Sequence, residues 1–207
     1  MTTYDEFTVK IYRALIDPLI GPLRSRIVTL CIDLKVTKVL DIASATGVQC
    51  RMLADEGIKA TGLDLSQAMT VSATRHSKLN VRYVQGSAYA LPFEDNEFDA
   101  SLLVLALHEH TEEERTRMLA EACRVVRPKG HLIIADYNLP RWSGINMPWQ
   151  VIRFIEAIAG EEHHAGFKEF MAQGGVLGLL RRNGLVPLRE IHSHFDTIRV
   201  ILTGCEA

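Results

Sequence analysis

Two carboxylates and a run of very small residues are the groups in this chain whose types and spacing suit chemistry. The stretch Lys38-Val39-Leu40-Asp41-Ile42 runs into Ala43-Ser44-Ala45-Thr46-Gly47, and a helical pattern from Val48 to Glu56 follows at once. A strand, a turn of tiny side chains and a helix start let a ligand lie against bare backbone, with the unpaired N–H groups of the helix facing it. Asp64 closes the next apolar run, 23 positions after Asp41. A carboxylate at the end of a second strand is where doubly wound folds grip ribose hydroxyls. Together these features predict a site for a nucleoside-containing ligand, with Asp41 orienting the turn more than touching the ligand.

Histidines supply the remaining reactive groups. His108-Glu109-His110 falls just past the fourth apolar run, where open α/β sheets place their ligands. His108 is therefore a candidate substrate-side residue. The H-x-H spacing also suits a metal, but a metal site wants a third ligand that the sequence does not name, so none is expected. His163-His164 follows Glu161-Glu162. Adjacent helical residues point in different directions, so this pair reads as a solvated helix start or a pocket wall rather than an ion site. His192 and His194 share one face of a late strand and read as exposed. Asp136 and Tyr137 end the fifth strand on the side where a substrate would lie.

The elements that must hold these groups alternate. Strands are expected at Val39–Asp41, Ala60–Asp64, Val81–Gln85, Phe98–Leu105 and His131–Asp136. Helices lie between them at Val48–Glu56, Ser66–His76 and Thr111–Val126. Ser66 reads as an N-cap, Thr111-Glu112-Glu113-Glu114 as a capping box, and Pro128-Lys129-Gly130 as a stop. Alternation of this kind implies a parallel sheet with helices on both faces. Val186–His194 and Thr197–Thr203, joined at Phe195-Asp196, read as a closing hairpin. The expected fold is thus α/β, Rossmann-like and doubly wound: a mostly parallel seven-stranded sheet with a terminal antiparallel hairpin and a helical cap.

One domain is expected. Residues 1–36 would form N-terminal cap helices, broken at Pro18 and Gly21-Pro22, and 37–136 the cofactor-binding core. Residues 137–172 would be a cap insertion, and 173–207 a C-terminal helix with the closing strands. The N-terminal stripe Phe7, Ile11, Leu15, Leu19 reads most simply as packing on the core, and alternatively as a transient membrane contact. With 23 Lys+Arg against 25 Asp+Glu the chain has no basic footprint for nucleic acid. Cys31, Cys50, Cys123 and Cys205 lie far apart and read as reduced thiols, which with the absence of a leader pattern suggests a cytoplasmic protein.

Between about residues 37 and 136 the chain resembles the class I S-adenosylmethionine-dependent methyltransferases, in the small-molecule branch that includes the ubiquinone and menaquinone C-methyltransferases. The resemblance rests on pieces in the right order: Asp41-Ile42-Ala43-Ser44-Ala45-Thr46-Gly47, then Gly62-Leu63-Asp64-Leu65-Ser66 with Met69. Next come Gln85-Gly86-Ser87-Ala88 with Leu91-Pro92-Phe93, then Phe98-Asp99 and Leu107-His108, and last Arg124-Val125-Val126-Arg127-Pro128-Lys129-Gly130. The resemblance implies S-adenosylmethionine as cofactor. Backbone from Ala43 through Ser44 and Ala45 to Gly47 would line its methionine half, and Asp64 would bond the ribose hydroxyls. Leu65 and Met69 would pack on the adenine, with Gly86, Ser87 and Ala88 at its edge. Leu105 would approach the methionine moiety, and Tyr12 would close over it.

The family usually has glycine at Ala45 and often at Ala43, so a positive φ at Ala45 would carry strain of about 1 kcal/mol. Ser87 stands where the family often has an aspartate that bonds the adenine amino group. The implied activity is methyl transfer to a small hydrophobic or aromatic acceptor, such as a quinone precursor or a lipid, with His108 as the base where the acceptor must lose a proton. The alternatives are a protein that binds the cofactor without chemistry and, more remotely, a dinucleotide-dependent oxidoreductase, whose G-x-G-x-x-G fingerprint needs glycines at Ala43 and Ala45.

Overall fold

The computed structural model describes residues 6–77, 80–139 and 161–205. Seven strands form one sheet: β1 (Lys38–Ile42), β2 (Lys59–Asp64), β3 (Val81–Gln85), β4 (Phe98–Val104), β5 (Val126–Tyr137), β6 (Pro187–Ser193) and β7 (Ile198–Gly204). Their order is β3-β2-β1-β4-β5-β7-β6. The first five are parallel to one another, and β7 runs antiparallel to both β5 and β6. The expected mixed sheet with its closing hairpin is present. Its second hairpin strand, not its first, docks on β5, which puts β6 at the edge, where Pro187 can open a strand without losing a ladder donor.

The described helices are α1 (Glu6–Ile11), a π-helical turn (Tyr12–Ile16), α2 (Asp17–Leu19), α3 (Gly21–Asp33), α4 (Val48–Asp55), α5 (Gln67–Arg75), α6 (Glu112–Arg124), α7 (Glu161–Ala172) and α8 (Gly175–Arg182). Ser66 caps α5 and Thr111 with Glu114 closes a full capping box on α6, as their sequences expect. Alternate sheet residues feed two cores. Leu40, Ile42, Leu103, Leu132 and Ile134 face α6, α7 and α8. Val39, Ala100, Leu102, Ile133 and Ala135 face α3 and α4. Asp99 ties β1 to β4 at their starts, its Oδ2 accepting from the Thr37 and Lys38 amides at 2.6 and 3.1 Å.

Four expectations are corrected. The stripe Phe7, Ile11, Leu15 and Leu19 does not pack on the core: these residues are 69, 42, 65 and 58 % exposed. Val9, on the other side of α1, is buried, as is Ile20 beyond α2, so this segment is apolar on both sides and i, i+4 spacing alone cannot say which one faces in. The break foreseen at Pro18 is preceded by the π turn, which no residue pattern announced. Cys123 and Cys205 are joined in a disulfide, their Cα atoms 5.1 Å apart, while Cys31 and Cys50 are free and buried. The two bonded residues are 82 positions apart. They meet because β7 inserts beside β5 and ends over the last turn of α6. His194 leaves the β6 face and sits in the hairpin turn, with φ 46°. Trp142, Trp149 and Phe154, within the 137–172 segment expected to be a cap insertion, lie outside the described residues, and the His163 side chain is likewise not described.

Candidate active site

The C-terminal ends of β1, β2, β4 and β5 converge beside the switch in strand order between β1 and β4, where open α/β sheets bind ligands. The turn after β1 takes a left-handed backbone at alternate residues: φ is 58° at Ala43, 46° at Ala45 and 73° at Gly47. Glycine is the residue suited to such angles, so both alanines carry the strain foreseen for Ala45, about 1 kcal/mol each. A Cβ at Gly47 would clash with the Tyr83 hydroxyl, so a side chain there would have to displace that ring. That hydroxyl donates to the Gly47 carbonyl at 3.0 Å.

Asp64 fastens the turn. Its Oδ2 accepts from the Ala45 amide at 2.7 Å and its Oδ1 from the Ser66 amide at 2.9 Å. Burial raises its pKa, against the pull of those two amides. An ionised carboxylate offers about four acceptor positions, and these two bonds occupy half of them. Within the turn, Ser44 Oγ is buried against Gly62 with no hydrogen-bond partner. Asp41 stands apart from this arrangement. It is buried on the α3–α4 side of the sheet, where the Cys50 thiol donates to it at 3.5 Å. Burial lifts its carboxyl to about 7, in spite of Arg24 nearby. The turn is thus oriented by Asp64 and not by Asp41.

The N-terminal segment closes on the turn from above. Asp17 accepts from the Thr46 hydroxyl at 2.7 Å and pairs with Arg24 at 2.8 Å, with both side chains nearly sealed. This link between α2, α3 and the turn had no signal in the sequence, because each residue looks like an ordinary polar position on a helix. Burial pushes the Tyr12 hydroxyl up to about 12, with the charges of Asp17, Glu109 and Asp64 acting in the same direction. The residue therefore lies within electrostatic reach of Asp64.

Among the other expected site residues, Leu65 is 44 % exposed at the rim, whereas Met69 is sealed at 1 %. Gly86, Ser87 and Ala88 follow β3 as half-buried residues. Ser87 Oγ accepts from the Tyr89 amide at 3.1 Å, so it shapes its own turn. Leu105 also takes a positive φ, 52°, and its amide donates to the Ala135 carbonyl at 2.7 Å.

Across from the turn, His108 and Asp136 form a sealed pair. His108 Nδ1 lies 2.9 Å from Asp136 Oδ1, and the residues are 4 and 0 % exposed. Asp136 also accepts from the amides of Leu107 and Tyr137. A carboxylate held in this way keeps the imidazole proton on Nδ1 and the lone pair on Nε2. Tyr137 tilts against His108 with centroids 4.6 Å apart, and Phe167 meets Tyr137 edge-on at 5.5 Å. His110 turns away to the Tyr89 hydroxyl at 2.8 Å, so the H-x-H pair does not converge on one point. Arg115 holds α7 against this loop. It is fully buried and donates to the carbonyls of Leu107 at 3.0 Å and Gly166 at 2.7 Å. Its role, too, was invisible in the sequence, where it reads as a surface residue of α6.

A family described as "Methyltransferase domain" matches residues 39–130, the span that holds the turn, Asp64 and His108. Residues 39–130 are thus similar to that methyltransferase family. A demethylmenaquinone methyltransferase of Paenarthrobacter aurescens is 34 % identical over 138 residues, which cover 65 % of this chain and 53 % of that protein. The chain thus spans about half the length of this relative. A SAM dependent methyltransferase from Aquifex aeolicus superposes with a TM-score of 0.64 at 18 % identity, covering 97 % of this chain and 98 % of that one. Human N-acetylserotonin methyltransferase in complex with SAM gives 0.70 at 14 % identity, covering 97 % of this chain and 56 % of that one. At these identities the structural likeness speaks for the methyltransferase fold. Among the described residues, no helix is long and apolar enough to cross a membrane.

Proposed function

We propose that the protein transfers a methyl group from S-adenosylmethionine to a small apolar or aromatic acceptor. The observation that carries this reading is the Asp64 carboxylate, bonded to the strained turn through Ala45 and left with acceptor positions for a ribose. The residues present fit the cofactor: the turn itself carries an unpartnered buried hydroxyl, that of Ser44, and Asp64 keeps acceptor positions open. In this reading the backbone of Ala43–Gly47 holds the methionine half and Asp64 the ribose. Leu65 and Ala88 flank the base, and Tyr12 covers the methionine end. Bound S-adenosylmethionine supplies a methyl group activated by a positively charged sulfur.

The protein's own work is to hold an acceptor in line with that methyl and to exclude water. His108 takes a proton from an acidic acceptor at Nε2, and Asp136 keeps the ring oriented and stabilises the charge that it gains. The aromatic rings of Tyr137 and Phe167 beside His108 favour an aromatic acceptor. The name of the Paenarthrobacter relative supports a quinone-type ring. Transient bilayer contact belongs to the same reading, because the exposed Phe7, Ile11, Leu15 and Leu19 lie on the segment that carries Tyr12 into the site, and Lys10 is exposed among them. The test is formation of S-adenosylhomocysteine when 1-naphthol or anaerobic naphthalene-1,4-diol is added to the protein with S-adenosylmethionine. Turnover that is lost in Asp64→Ala supports the reading. Turnover that survives Asp64→Ala contradicts the site.

A further inference from the structure

His164 has a buried Nδ1 atom with no hydrogen-bond partner. It lies near the start of α7, and positions 164, 167 and 171 share one helical face. Phe167 and Met171 on that face are buried at 4 and 7 %. Phe167 is edge-on to His108 at 6.4 Å and to Tyr137 at 5.5 Å. The helix is held closely there: a Cβ on Gly166 would fall 2.8 Å from the Glu109 carbonyl oxygen and 3.3 Å from that of His108. His164 therefore continues, about 4.5 Å further along the axis, the face that Phe167 turns toward His108. A buried polar atom without a partner weakens the ligand-free protein, and a ligand that supplies the partner recovers that loss.

The two imidazoles have different surroundings. His108 is locked by a carboxylate and suited to take a proton. His164 has no such lock, so its Nδ1 can donate or accept according to tautomer. We propose that His164 determines acceptor specificity, its Nδ1 hydrogen-bonding a second oxygen on an aromatic ring whose first hydroxyl is served by His108. The inference rests on the methyl-transfer reading and narrows it to rings that carry two oxygens.

The test compares binding of naphthalene-1,4-diol, kept reduced, and of 1-naphthol to protein saturated with S-adenosylhomocysteine, in wild type, His164→Ala and His164→Asn. Wild type should bind the diol about tenfold more tightly than the naphthol, the worth of one well-made polar contact. His164→Ala should abolish that preference and leave 1-naphthol and S-adenosylhomocysteine affinities unchanged. His164→Asn, whose amide reaches the place of Nδ1, should restore much of it. A preference that persists in His164→Ala, or equal loss of both acceptors, overturns the role of His164 while leaving methyl transfer standing. Failure of wild type to bind or methylate either ring overturns the methyl-transfer reading for aromatic acceptors and this inference with it.

Discussion

His108 Nδ1 and Asp136 Oδ1 lie 2.9 Å apart, joining the loop after β4 to the end of β5 in a place closed to solvent. With its two backbone donors in addition, Asp136 cannot swing away, and the imidazole is fixed with it. In the proposed reaction this fixed ring is the base, and Asp136 is what orients it.

Asp136→Asn tests that role. The amide keeps the volume but loses the charge that stabilises a protonated imidazole. Turnover of a phenolic acceptor should fall by roughly 10²–10⁴-fold, the usual worth of a positioned base. The affinity for S-adenosylmethionine should stay within about twofold. An unchanged kcat would show that the acceptor needs no base, and His108 would then be a packing residue.

The strained turn makes a second, independent prediction. Ala45 has φ 46°, so Ala45→Gly should relieve strain and stabilise the fold by about 0.5–1 kcal/mol, offset in part by the greater freedom of glycine in the unfolded chain. Denaturant melts of the two proteins decide it. A loss of stability of that size would mean that the alanine methyl makes contacts that outweigh its backbone strain.

Much of this architecture was legible in the sequence, for identifiable reasons. The strand-to-helix alternation came through because parallel strands are buried on both faces and read as apolar runs, Phe98 to Leu105 being the clearest. Capping at Ser66 and Thr111 was legible because it is local. Pairings between distant residues were not. Asp17 with Thr46, Arg115 with Gly166 and Cys123 with Cys205 arise only when α2, α7 and β7 reach their places. His108 stands out by its position after a strand, but its partner Asp136 reads only as a residue on the substrate side, since nothing in the spacing links them. The outward direction of the Phe7 stripe was missed because that segment is apolar on both sides.

Asp41 gives a pH dependence whose sign differs from that of most acids. Burial holds its folded pKa at about 7, above the ordinary aspartate value of 3.8. Its neutral form is therefore favoured by folding, and the stability linked to it is complete below about pH 4 and lost as the pH rises toward 7. At full ionisation the loss is of order 4 kcal/mol. Asp41→Asn should remove this slope, matching wild type near pH 4 and exceeding it at pH 8 in thermal melts. A variant less stable than wild type at pH 8 would show that the charge is stabilised, through Arg24, by more than its burial costs.

The exposed N-terminal stripe makes a prediction at the surface. Wild-type protein should sediment with anionic phospholipid vesicles at low salt, and Leu15→Glu should reduce the bound fraction several-fold without altering S-adenosylmethionine affinity. Equal sedimentation of the two proteins would remove the stripe as a membrane contact.

In the proposed function the turn after β1 and Asp64 form a site for S-adenosylmethionine, and calorimetric titration measures that binding itself. The expected result is one site of micromolar affinity for S-adenosylmethionine and S-adenosylhomocysteine, no binding of NAD, and at least tenfold weaker binding of both adenosyl ligands to Asp64→Asn, because a charge-assisted contact to the ribose is lost. Binding of NAD in their place, or undiminished binding to Asp64→Asn, would contradict it.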